Sequence, residues 1–376
     1  MVVLGALVML SHGCGEKSPE QVTLAFSYDL PQPEFPQNNP FTKEKKRLGR
    51  YLFFDKSLSG NGSMSCASCH QPEKAFTDGR RVAVGSTGQA HSRNTPTLLN
   101  VAYMHPLTWS SPLIQELEKQ ILIPLFSDAP LEMGVSGNER VILATLQAQE
   151  LYQELFEAAF PGQVEAIEFH NIVLAIASFV RSIVSFNTDF DRYAYGGDDA
   201  ALSASQLRGL NLFMSEKLEC HHCHGGINFS QSSTHALGNS FDKPFHNTGL
   251  YNLQGTGDYP SIDRGLFDVT GLPRDMGRFK APSLRNVALT APYMHDGSVE
   301  SLREVIEIYA EGGRNVKFGE YAGDGRANPH KSIFVRPLNL LESDIDDLVE
   351  FLHALTDENV LVDPRLTDPW LAASAP

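Results

Sequence analysis

Apolar positions along this chain recur mostly at helical spacing, and strand-like alternation is scarce. Ile345, Leu348, Val349, Leu352 and Leu355 form one stripe, with Ser343 and Asp346 supplying a cap signal ahead of it. The spacing predicts a helix near the chain end. Residues 172–186, IVLAIASFVRSIVSF, are apolar almost throughout; interrupted by Arg181 and too short to span a bilayer, they predict a buried helix. Two more helices are implied by a repeated pattern, LGRYLFF and RGLNLFM, which share Gly-x-x-Leu-Phe at Gly49, Leu52, Phe53 and at Gly209, Leu212, Phe213. A glycine in such a helix permits close approach of a crossing helix. The second copy starts after the turn-rich YGGDDAAL, where Ser203 and Gln206 have capping-box spacing. Long Gly/Pro/Asn-containing stretches such as 225–285 separate the helices. The predicted class is mainly α, with two modules and long irregular loops.

Composition narrows this to a globular chain. With 376 residues, 42% hydrophobic and 20% charged, it can bury the cores of two ordinary domains. The net charge of -15 argues against nucleic acid or an anionic membrane surface as partner. Residues 2–10, VVLGALVML, suit the apolar segment of an export signal, and Gly13-Cys14 ends the run as a lipoprotein site would, although Ser11 stands where such sites usually carry Leu. The expectation is a periplasmic protein, with Cys14 as a possible lipid anchor. The expected divisions are a leader and linker over 1–35, an N-terminal domain over 36–180, a C-terminal domain over 181–362, and a tail over 363–376.

Apart from Cys14, the five cysteines fall into two identical patterns, Cys66-Ala-Ser-Cys69-His70 and Cys220-His-His-Cys223-His224. Two CxxCH copies point to two covalent c-type haems, the thiols bonding the vinyl groups and the trailing histidine binding iron. His70 and His224 are then the ligands, while His221 and His222 fill the variable loop positions. A zinc site made of Cys66, Cys69, Cys220 and Cys223 is the alternative.

The segments LFFDKSLSGNGSMSCASCH, FTDGR, SRNTPTLLN, LEKQILIPLFSDAPLEMG, RFKAPSLRNVALTAPYMHDGS and VIEIYAEGG occur here in one order. Together they resemble the bacterial dihaem cytochrome c peroxidases and MauG, over most of 36–362, and look closest to the branch containing MbnH. The resemblance implies two cytochrome c-like haem domains, an N-terminal haem that reacts with hydrogen peroxide, and a C-terminal haem for electron transfer. It implies formation of high-valent iron and oxidation of an aromatic residue on a partner protein. Alternatives are a peroxide-detoxifying peroxidase fed by a redox partner, and a non-enzymatic electron-transfer cytochrome.

The resemblance also implies residue roles. Trp109, fifteen positions after Asn94, matches the tryptophan bridging the haems. Gln120 and Glu132 match the polar residues above the peroxide-binding iron, and the apolar neighbours of Glu132 favour a raised pKa. The position that carries a distal histidine in many of these peroxidases falls near Ser86, implying an open iron at His70; His91 as a displaced ligand is the alternative. Tyr309, fourteen residues beyond His295, matches the tyrosine ligand of MauG, with Met294 its rival. Asn94, Thr290 and Pro292 match calcium ligands, one side-chain amide and two carbonyls.

Overall fold

The computed structural model describes residues 22–238 and 245–373; the apolar run 2–10 and Cys14 lie outside them. Helices dominate. Among the described residues the only strand pairings longer than single bridges are Phe245–His246 with Phe279–Lys280 and Asn315–Val316 with Gly323–Asp324, both antiparallel. The mainly α class holds.

One helix crossing is used twice. Lys43–Phe54 crosses Phe169–Arg181 at Gly49, where an added Cβ would stand 1.9 Å from the Ala175 carbonyl oxygen. Ala204–Phe213 crosses Glu342–His353 at Gly209, where a Cβ would stand 1.9 Å from the Asp347 carbonyl oxygen. Backbone therefore lies directly on backbone at both crossings. The following Leu-Phe pairs point inward: Leu52 and Phe53 are fully buried, and Phe213 nearly so. Gly49→Ala and Gly209→Ala should each cost about 1–3 kcal/mol or more, because the helices must separate to admit the methyl group. Chemical denaturation of the haem-loaded protein measures this; unchanged midpoints would show that the crossings can slide.

The helix beginnings follow local chemistry. Thr42 accepts from the Lys45 amide, and Ser203 and Gln206 form the expected reciprocal box, with bonds of 3.2 and 2.8 Å. The last long helix differs from expectation. It starts at Glu342 instead of after Ser343, and the carboxylate of Asp344 accepts from the Leu341 amide. Asp346, expected to cap, instead pairs with Arg303 of the helix Leu302–Ala310. The apolar stripe keeps its register, since Ile345, Leu348, Leu352 and Leu355 are buried whichever residue caps the first turn.

Two main cores result. The first is built around Leu48, Phe53, Phe156, Ile172 and Phe179, and the chain returns to it near its end through Val360 and Leu366. The second is built around Phe213, Phe229, Ile306, Leu348 and Phe351. No helix of the described residues is long and apolar enough to cross a membrane. Arg181 is tolerated in its apolar helix because Glu118 accepts two bonds of 2.6 Å from it. Deeper still, Arg285 and Asp191 pair through two bonds of 2.9 Å with both side chains fully buried.

Candidate functional site

Each CxxCH segment closes into one tight turn. The His70 amide donates to the Cys66 carbonyl at 3.0 Å, and the His224 amide to the Cys220 carbonyl at 2.9 Å. Two thiols and an imidazole are thus gathered on each loop. Nδ1 of His70 faces the Phe76 carbonyl oxygen at 3.0 Å, and Nδ1 of His224 faces that of Phe229 at 3.1 Å. A carbonyl only accepts, so Nδ1 must carry the hydrogen, and Nε2 keeps its lone pair for a metal. Left-handed backbone at both phenylalanines, φ 58° and 49°, turns these carbonyls. Burial lowers the pKa of both imidazoles and keeps them neutral, as a ligand must be.

The thiols do not assemble into a zinc site. Burial pushes Cys66 and Cys220 up to about 12 and Cys69 and Cys223 to about 11, so they stand as thiols until a group binds them. No three of these sulfurs converge among the described residues.

Glu132 belongs to the loop following helix Leu117–Phe126. Its carbonyl accepts from the Ser86 amide at 2.8 Å, which pins the loop to the 83–91 hairpin. Burial raises its carboxyl to about 7. Burial first, and that charge in a smaller part, raise Cys66 and Cys69, so the carboxyl lies within electrostatic reach of the CASCH loop. His91, brought round by the hairpin, places Nδ1 4.0 Å from Glu132 Oε1, too long for a hydrogen bond. Gln120 Oε1 is buried and has no hydrogen-bond partner among the described residues. An unpaired buried acceptor costs about 1–3 kcal/mol, so a donor on a bound molecule would be welcome at this atom.

A cavity at the second CxxCH loop is lined by Cys220, Cys223 and His224 together with Tyr309 and Met294. Burial raises the Tyr309 phenol, with the two cysteines adding to the shift, and its hydroxyl makes no hydrogen bond among the described residues. Trp109 lines the same cavity, and its Nε1 donates 3.2 Å to the Asn94 carbonyl in the segment beside the first loop. The tryptophan thus touches both halves.

The Asn94 amide nitrogen of the backbone donates to the His295 carbonyl at 2.7 Å, which sets Asn94 against the segment carrying Thr290 and Pro292. Its side-chain amide donates to the Arg80 carbonyl at 2.8 Å. Neighbouring Arg93 reaches Asp263 through bonds of 2.6 and 2.8 Å.

Two cavity residues escaped the sequence reading. Lys280 is buried, donates to the carbonyls of Pro106 and Leu107 at 3.1 and 3.0 Å, and is pushed down to about 8 by burial. His246 is held at about 4 by burial and bonds Gln231 at 2.8 Å. A lysine set between Phe279 and Ala281 was the available signal for the first; His246 had none beyond being a histidine.

Comparison with known proteins places this arrangement. The family description "Di-haem cytochrome c peroxidase" matches residues 43–200. A cytochrome-c peroxidase, IdrP1, of Pseudomonas sp. (strain SCT) is 35% identical over 92% of this chain and 90% of its own. The methylamine utilization protein MauG of Methylorubrum extorquens is 35% identical over 86% and 81%. The chain belongs to the dihaem cytochrome c peroxidase/MauG family. The crystal structure of a MauG-like protein associated with microbial copper homeostasis is 48% identical, with a TM-score of 0.89, over 92% of this chain and all of that one. Membership implies two c-type haems, an oxidoreductase, hydrogen peroxide, and a protein partner or substrate. The paired CxxCH turns, each with two thiols and an imidazole whose Nδ1 faces a backbone carbonyl, fit such groups chemically.

Proposed function

We propose that this dihaem oxidoreductase uses hydrogen peroxide to oxidise an aromatic side chain of a partner protein. Cys66, Cys69 and His70 would hold the haem that meets peroxide; Cys220, Cys223 and His224 would hold the second, to which Tyr309, in the same cavity, would offer a phenol oxygen. The iron supplies the redox chemistry. Glu132 takes a proton from peroxide and returns it to the departing oxygen, which a carboxyl poised at about 7 can do in both directions. Gln120 Oε1 accepts a hydrogen bond from the bound peroxide, and Trp109 carries oxidising equivalents between the halves. Asn94, Thr290 and Pro292 would be the residues to hold a calcium ion, through one side-chain oxygen and two carbonyls. The protein is exported to the periplasm, and Cys14, outside the described residues, is its candidate lipid anchor.

Tyr309 carries the reading: a phenol with no hydrogen bond among the described residues, in the wall of the second CxxCH cavity. An anionic oxygen ligand favours the oxidised haem and suits storage of an oxidising equivalent, whereas a thioether favours the reduced one. The likeness to the MauG-like structure supports the same branch. Met294 in the same cavity, and relatives named cytochrome-c peroxidase, favour the second reading, a detoxifying peroxidase.

Adding hydrogen peroxide to the ferric protein without reductant should change its optical and EPR spectra. A requirement for prior half-reduction would select the detoxifying peroxidase, and two low-spin haems inert to peroxide would leave only electron transfer. Tyr309→Phe should alter the low-spin signal, whereas an unchanged signal with a Met294→Leu effect would transfer the ligand role to Met294.

A further inference from the structure

Three side chains with no part in the haem reading meet beside the second loop. His221 and His222 occupy the positions between Cys220 and Cys223, and Glu216 follows the helix bearing Gly209. His221 Nε2 lies 3.5 Å from Glu216 Oε1, and His222 Nε2 lies 3.6 Å from Glu216 Oε2. All three candidate ligand atoms fall within 4.8 Å of one another. Among the described residues this is the one such group.

These gaps are too long for hydrogen bonds. They match the separation of two ligands on one ion, since tetrahedral bonds of about 2.0–2.1 Å put neighbouring ligand atoms roughly 3.4 Å apart. The imidazoles are also ordered beforehand. Their rings lie 4.3 Å apart, and His222 stacks on Phe334 at 4.8 Å with 10° between planes. His221 Nδ1 is buried without a partner among the described residues. Glu219 offers a second carboxylate, its Oε2 lying 2.6 Å from His222 Nε2 and its Oε1 3.7 Å from Arg336.

We propose that Glu216, His221 and His222 form a binding site for a divalent transition ion of the zinc and copper(II) class. Two imidazoles and a carboxylate select such ions over calcium or magnesium, which take oxygen ligands. Glu219 can supply a fourth ligand by turning from the imidazole to the ion, giving up its hydrogen bond. The site lies one residue from each cysteine of the loop, where a dication acts directly on the local electrostatics.

The test uses the untagged, haem-loaded protein, titrated calorimetrically with zinc sulfate and followed by EPR with copper sulfate. One equivalent should bind well above the background of the remaining histidines, and copper should show coupling to two nitrogens. Glu216 is largely exposed, so Glu216→Ala keeps the fold and should weaken binding by about tenfold or more, a loss that even supporting groups around a metal produce. His222→Gln should leave one coupled nitrogen. Identical isotherms for the parent and Glu216→Ala, or copper without nitrogen coupling, would overturn the proposal.

Discussion

Glu132→Gln slows the reaction with hydrogen peroxide by about 10²–10⁴-fold, the range a positioned proton-transfer group contributes. The amide keeps the shape of the side chain but cannot take the proton. The pH dependence separates this from a steric effect. Burial raises the carboxyl to about 7 from its ordinary 4.5, and a base must be ionised, so the parent rate rises as pH climbs through about 7 and then levels. The variant loses that rise. The same shift has a stability signature: the folded carboxyl holds its proton more tightly than the unfolded one, so stability is highest below 4.5 and declines up to about 7. Stopped-flow mixing across pH 5–9 reads the rate, a window spanning about two units on either side of the shifted value. A flat profile in the parent, or equal rates in both proteins, would remove Glu132 from the chemistry.

Asp191→Ala is expected to have the largest effect on stability, about 3–5 kcal/mol. Both members of the Arg285–Asp191 pair are fully buried, and the guanidinium also donates 2.6 Å to the Ile227 carbonyl and lies 4.5 Å from the centre of the Phe186 ring. Removing the carboxylate strands a charge that cannot reach water. Denaturation of the haem-loaded protein measures the loss, and Asp191→Ala combined with Arg285→Met should recover much of it, because no buried charge then remains. A double variant no more stable than the single one would mean that the packing of Arg285 matters more than its charge.

The features legible in the sequence are those whose chemistry is local. A CxxCH turn must keep its spacing to bring two thiols and an imidazole together, and Gly-x-x-Leu-Phe must keep its glycine where two backbones touch. The Ser203 box was readable because both partners lie within one turn. Where distant chain decides the outcome, the pattern is silent. Asp346 does not cap because it pairs with Arg303, forty-three residues back along the chain, and the helix starts at Glu342 with Asp344 taking the Leu341 amide instead. His91 comes against Glu132 only through the 83–91 hairpin. Lys280 enters the cavity wall because Pro106 and Leu107 turn their carbonyls towards it. Phe351 fell outside the expected stripe, yet it is fully buried and lies 2.7 Å from where a Gly209 Cβ would stand.

Arg93 and Asn94 bear on how evenly the protein keeps time. Arg93 is fastened to Asp263, the Asn94 amide to His295, and the Asn94 carbonyl to Trp109, so two adjacent residues bolt the halves together at the tryptophan. Tunnelling rates fall exponentially with distance, and a loose joint would spread them over a wide range from one molecule to the next. A double charge-assisted bond beside two amide bonds makes this a stiff joint. Every molecule then presents nearly the same gap, and under the proposed function the interval between the arrival of an oxidant and the departure of a hole would be a property of the fold.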